Sequence, residues 1–100
     1  MIRDRAIKRI ETLKQMLLDC SIFYDANEFT RSAEYSVSAG DMAEAACADF
    51  DAMSDCLQSA RNATPDAFMF WEGLAECAAM LVNSAEHVYA NSIIATERKS

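Results

Sequence analysis

The stretch that most constrains the fold is residues 64–99, which carries a marked helix start followed by a long apolar repeat. Thr64 is a favourable N-cap, Pro65 suits the first helical position because that position needs no N–H donor, and Asp66 favours the positive end of the helix dipole. Apolar residues then recur at alternating steps of three and four, the spacing of one helical face. They are Trp71, Leu74, Ala78, Leu81, Ala85 and Val88. The pattern predicts one long helix packed along its whole length.

Two further repeats of this kind lie upstream and predict helices over residues 4–24 and 41–61. The chain has two glycines and one proline, too few for the turns of a β-sandwich or barrel. We therefore expect a single all-α domain over residues 1–100, an antiparallel bundle of three long helices. The apolar positions of the two repeats are Ala6, Ile10, Leu13, Leu17, Cys20 and Tyr24, widened by Ile7, Leu18 and Ile22, and then Ala43, Ala46, Phe50, Met53, Leu57 and Ala60.

The pattern is weaker between residues 25 and 40. Asp25 followed by Glu28 has the spacing of a capping box, which predicts a helix start there. Asp41 and Glu44 repeat that spacing directly after Gly40, a residue suited to ending a helix. Two interpretations stay open: one long second helix with a kink near Gly40, or two helices broken there, which would give a bundle of four. The continuous helix is favoured because no stretch of loop length separates the halves.

The charge of the chain is acidic and unevenly distributed. The formal net charge is −7 and the isoelectric point is near 4.5. Residues 1–14 carry a net charge of +3, whereas residues 25–55 carry −7. A protein that binds nucleic acid directly normally presents a basic surface, so we do not expect direct nucleic-acid binding.

The sequence shows no secretory leader, because its basic start continues into an amphipathic pattern. Its most apolar run, residues 67–82, is interrupted by Glu72 and Glu76 and is too short to span a bilayer. The four cysteines lack any CxxC spacing and predict reduced thiols in a cytoplasmic protein. Neither a catalytic base beside a nucleophile nor paired metal ligands can be found, so we expect no enzyme activity, no cofactor and no metal.

Two groups of residues are candidates for binding a partner. The first is an acidic stripe on the second helix, which is either a solvated face or a docking surface for a basic partner. The second lies within four consecutive large apolar residues, 68–71. Consecutive helical positions are about 100° apart, so these residues cannot all face one core, and some of them pack internally or against another chain. The candidate residues are Asp41, Glu44, Asp49, Asp51, Asp55, Phe68, Phe70 and Trp71.

The tripeptide Trp71-Glu72-Gly73 resembles the Trp-x-Gly motif of the small secreted helical-hairpin proteins of similar length. In that family the motif occupies a turn between two helices. Here it follows Pro65 inside a predicted helix, and the tyrosine-based tail signal of the family is absent. The resemblance is confined to these residues and assigns no function to the chain.

The sequence as a whole favours a non-catalytic, acidic, helical protein-binding module. We expect an inhibitor or adaptor of the type of phage anti-defence or immunity proteins, which occupies a surface of a larger protein. A basic, nucleic-acid-binding surface of a nuclease complex is one candidate for that surface. The alternative is a structural or assembly protein that forms a homodimer or larger oligomer through an apolar helical surface. Neither hypothesis requires a membrane.

Overall fold

The computed structural model describes residues 2–61 and 64–99, which fold into three helices. They are α1 (Ile2–Asp25), α2 (Phe29–Ser59) and α3 (Pro65–Lys99). The prediction of an all-α bundle is confirmed. Helices α2 and α3 pack against each other along most of their length, and the shorter α1 packs against both. None of the described helices combines the length and the apolar character needed to cross a membrane.

The turn between α1 and α2 covers residues 26–28, so α2 begins later than a capping box at Asp25 would place it. Asn27 has φ of 64°, and its N–H donates to the Tyr24 carbonyl while the Glu28 N–H donates to the Phe23 carbonyl. This pair of hydrogen bonds around a left-handed residue is the Schellman motif that closes a helix. Asp25 is therefore the last residue of α1, and Glu28 makes no side-chain capping bond to α2. The predicted capping box was wrong because Asn27 satisfies the helix end instead.

Helix α2 continues through Gly40, so the four-helix alternative is wrong. A Cβ placed on Gly40 would lie 3.4 Å from the Cβ of Ala85 on α3, which shows how closely the two helices approach there. Ala39 and Ala43, on either side of Gly40 in the sequence, are buried as well. A helical glycine costs about 1 kcal/mol relative to alanine, and packing of this kind is what keeps α2 helical through it.

The start of α3 agrees with the sequence. The Thr64 hydroxyl accepts a hydrogen bond of 3.2 Å from the Ala67 N–H, as an N-cap residue should. Its apolar seam also faces the interior, with Trp71, Ala78 and Ala85 buried. Asn62 and Ala63, which precede it, lie outside the described residues.

The bundle is a rod rather than a sphere. It measures 59 × 20 × 15 Å, and its radius of gyration of 16.2 Å exceeds the roughly 13 Å expected for a compact domain of this length. Its surface of 6671 Å² is likewise larger than the roughly 5,650 Å² expected from its mass. The fold thus exposes about 1,000 Å² more than a compact monomer would.

Candidate protein-binding surfaces

The five acidic candidates on α2 are all exposed, but the structure divides them between two flanks of the helix. Two residues of helix correspond to a rotation of about 200°, so Asp49 and Asp51 point to nearly opposite sides. Asp49 faces α1, where the Arg9 Nη1 donates to its Oδ2 at 2.7 Å. The predicted stripe therefore loses Asp49, which is compensated by the basic start of the chain.

Asp41, Glu44 and Asp51 line the opposite flank, in a shallow groove between α2 and α3 that we call the acidic groove. It consists of two adjoining depressions of about 210 and 410 Å³ that share Glu44 and Val82. Glu86 adds a further carboxylate from α3. Asp55, one turn beyond Asp51, is exposed but does not line the groove.

Within the part of the chain that the structure describes, the carboxylates of the acidic groove form no ion pair. The ion pairs Arg9–Asp49 and Arg31–Glu28 lie outside the groove. Small residues form much of its lining, namely Gly40, Ala48, Ala79 and Ala85. The groove therefore offers a close approach to the two helix backbones, bordered by uncompensated negative charge.

Cys47 lies in the acidic groove, and its surroundings disfavour the thiolate. Its Sγ lies 3.5 Å from the Ala75 carbonyl oxygen and 3.7 Å from Asp51 Oδ2, either of which accepts its single proton. Burial raises the pKa of the thiol above its ordinary value, and the charge and hydrogen bond of Asp51 raise it further. A thiol that stays protonated at neutral pH is a poor nucleophile.

The apolar residues 68–71 contribute mainly to the core. Trp71 is only 7% exposed, and its ring packs against Phe50 and Phe70 with centroid distances of 5.9 and 5.3 Å. Phe68 and Phe70 are half-buried. The exposed member is Met69, at 63%, which the sequence analysis did not single out. Binding of a partner by these residues stays a prediction. The surface that a partner could reach there consists of Met69 and the exposed parts of Phe68 and Phe70.

A second groove, which sequence reasoning missed, lies at the end of the bundle that contains Trp71. It has a volume of about 380 Å³, and all three helices contribute to it. We call it the arginine groove because Arg5 and Arg9, one helical turn apart on α1, line it together with Asp49. The remaining lining residues are Ile2, Ala6, Phe50, Met53 and Trp71. The i, i+4 spacing of the two arginines around buried Ala6 is the sequence signal that could have indicated it.

The outer face of α1 also differs from expectation. Ile7, Leu18 and Ile22 were predicted to widen its buried stripe, but they are 42%, 56% and 56% exposed. The reason is geometric: α1 packs at the side of the α2–α3 pair, so only a narrow stripe of it is covered. These three residues are unpartnered apolar surface.

Within the described ranges, no three histidine, cysteine or carboxylate side chains come close enough to share a metal ion. No protein-family model, no curated protein and no solved structure matches the chain.

Proposed function

We propose that this protein is a non-catalytic binding module that docks its acidic groove against a basic surface of a larger protein and acts there as an inhibitor or adaptor. The observation that carries the proposal is the groove itself, which Asp41, Glu44, Asp51 and Glu86 line without forming an ion pair among the described residues. A basic surface of the kind with which a nuclease complex holds nucleic acid has the complementary charge.

The shape of the molecule supports the same proposal. A typical stable interface buries about 800 Å² on each partner. With principal extents of 59 × 20 × 15 Å, the rod presents a long flank of about that size. The small residues of the groove allow a partner to approach the helix backbones, and the carboxylates steer the encounter.

The partner is sought by affinity capture from a cell lysate, with elution by increasing salt. Charge reversal then tests the groove: in Asp41→Lys/Asp51→Lys we expect association with the captured partner to slow by about tenfold or more at low salt, because steering acts on the association rate. Glu11→Lys/Glu34→Lys makes the same change in net charge on exposed residues outside the groove and serves as the control. Equal slowing by both variants would show that overall charge, not the groove, directs binding.

The second candidate function, assembly through an apolar helical surface, is favoured by the exposed face of α1. Leu18 and Ile22 lie one turn apart and are each 56% exposed. Because Trp71 is buried, the residues to test are these two and not the aromatic cluster. Sedimentation equilibrium distinguishes the functions: an oligomer that Leu18→Lys/Ile22→Lys dissociates, and that Asp41→Lys/Asp51→Lys leaves intact, would favour assembly.

A further inference from the structure

The arginine groove combines an apolar floor with a cationic rim, and the protein-binding proposal uses neither. Phe50, Met53 and Trp71 form the floor, contributed by α2 and α3, while α1 supplies Arg5 and Arg9. Small-molecule sites are typically concave, mostly apolar and equipped with a few polar groups that fix orientation. Its volume of about 380 Å³ lies at the lower end of the size of such sites.

The two arginines differ in the interactions that their guanidinium groups already make. Arg9 donates to Asp49 at 2.7 Å and lies 5.8 Å from the centroid of the Phe50 ring. Arg5 has neither an ion pair nor a side-chain hydrogen bond in the part of the chain that the structure describes. A guanidinium presents a planar fork of donors that matches a carboxylate through two parallel hydrogen bonds. Arg5 therefore offers an open anion-binding position beside the apolar floor.

We propose that the arginine groove binds a small amphipathic carboxylate, with its hydrocarbon part on Phe50, Met53 and Trp71 and its carboxylate on Arg5. Asp49 determines where the ligand's charge lies. Its own carboxylate occupies Arg9 and repels a second anion, so the ligand's carboxylate is directed towards Arg5. This site is separate from the acidic groove, and its ligand class is opposite in charge to the proposed protein partner.

Octanoate is the probe, because it pairs an eight-carbon chain with one carboxylate. Trp71 is the only tryptophan of the chain, so its fluorescence reports on the groove, and calorimetry gives the stoichiometry independently. We expect saturable one-to-one binding of octanoate, with octan-1-ol and octylammonium weaker by about tenfold, since a hydrogen-bonded charge pair contributes at that scale. Absence of octanoate binding by calorimetry, or equal binding of octan-1-ol, would overturn the proposal.

Two pairs of variants locate the carboxylate. Arg5→Gln should weaken octanoate by about tenfold, whereas Lys14→Gln, the same loss of charge at an exposed position of α1 outside the groove, should not. Asp49→Asn should tighten binding severalfold because it frees Arg9 and removes a like charge, whereas Asp41→Asn, in the acidic groove, should not. An Arg5→Gln protein that binds octanoate as tightly as the parent would contradict the assignment of Arg5, and equal effects within either pair would show a response to net charge alone.

Discussion

The two ends of the rod are held together by different interactions. At the end that contains the start of α3, the core is large and aromatic, with Trp71 against Phe50 and Phe70. At the other end, near the α1–α2 turn, buried positions are small and hydroxyl-bearing: Ser32 and Ser92 are fully buried and their oxygens lie 2.9 Å apart. The first end, which we call the aromatic end, is stabilised mainly by the burial of large rings. At the second, the serine end, buried hydrogen bonds link the helices, and aromatic rings pair only at less buried positions, Phe23 with Tyr35 and Tyr24 with Phe29.

At the aromatic end, arginine side chains from α1 lie over the aromatic rings. The Arg3 guanidinium lies 4.4 Å from the centroid of the Phe70 ring, in addition to the contact of Arg9 with Phe50. Such cation–π contacts contribute about 0.5–1 kcal/mol each at exposed sites. They also explain why the basic residues lie at the start of α1 although they oppose its dipole: they cover aromatic rings and pair with Asp49 of the acidic α2.

At the serine end, the two hydroxyl groups have fewer protons than hydrogen-bond contacts. The Ser32 hydroxyl lies within hydrogen-bond distance of the Cys20 carbonyl and of Ser92 Oγ, and the Ser92 hydroxyl also lies near the Val88 carbonyl. Each hydroxyl has one proton, so two protons serve three contacts. One contact at a time therefore lacks its proton, yet residues from all three helices meet at this point, which ties their alignment together.

The largest loss of stability is expected from a change at the aromatic end. Trp71→Ala should lower the free energy of unfolding by about 3–5 kcal/mol, because it removes the largest core side chain and leaves a cavity. Met69→Ala, two residues away and 63% exposed, should change it by less than about 1 kcal/mol and is the matched control. Urea unfolding followed by circular dichroism measures both, since the variant lacks the tryptophan signal. A loss below about 1 kcal/mol in Trp71→Ala would mean that this end contributes little.

A smaller effect is expected at the serine end. Ser32→Ala should cost about 1–2 kcal/mol, because the buried contacts of the Ser32 hydroxyl with the Cys20 carbonyl and with Ser92 Oγ disappear, although Ser92 keeps the Val88 carbonyl. Ser38→Ala, at an exposed position of the same helix, should be neutral within about 0.5 kcal/mol. The same unfolding experiment tests both variants. If Ser32→Ala were as neutral as its control, close packing alone would hold this end.

The aromatic end was more predictable from sequence than the serine end. The seam of α3 contains Trp71 at a position that periodicity alone marks as buried, and Thr64 and Pro65 carry a local start signal. Serine, in contrast, lowers helical propensity and is usually exposed, so Ser32, Ser36 and Ser92 gave no sign that they line the core. Only the close approach of the helices makes a buried serine favourable, and that approach is a property of the tertiary structure.

The candidate surfaces were predictable from the sequence only in part. The spacing of Asp41, Glu44 and Asp51 placed them on one face of a helix, and the structure agrees. Asp49 is separated from them because α1 covers its flank of α2. The sequence of α2 alone does not indicate which flank α1 covers. The arginine groove depends on contributions from all three helices, so no single segment contains it.

The smallest effect concerns the pH dependence of the serine end. Cys20 is fully buried there, and burial, reinforced by the charge of Asp19, raises the pKa of its thiol above the ordinary value of 9.0. In the unfolded chain the thiol loses its proton at the ordinary pKa, whereas the folded protein retains it to higher pH. The stabilisation from Cys20 is therefore complete below about pH 9 and is lost as the pH rises towards and through the folded pKa.

Cys20→Ala removes this contribution, so the stability of that variant should fall less steeply than the parent's between about pH 8.5 and 10.5. The exposed thiol of Cys56 provides the control, and Cys56→Ala should retain the parent's slope. Urea unfolding at a series of pH values measures the slopes, and comparing variants cancels the titration of the tyrosines and lysines that all of them share. Parallel slopes for the parent and Cys20→Ala would show that the thiol ionises in the folded protein as readily as in water. The serine end would then be more open to solvent than the complete burial of Cys20 implies, and the contrast between the two ends would be one of side-chain size alone.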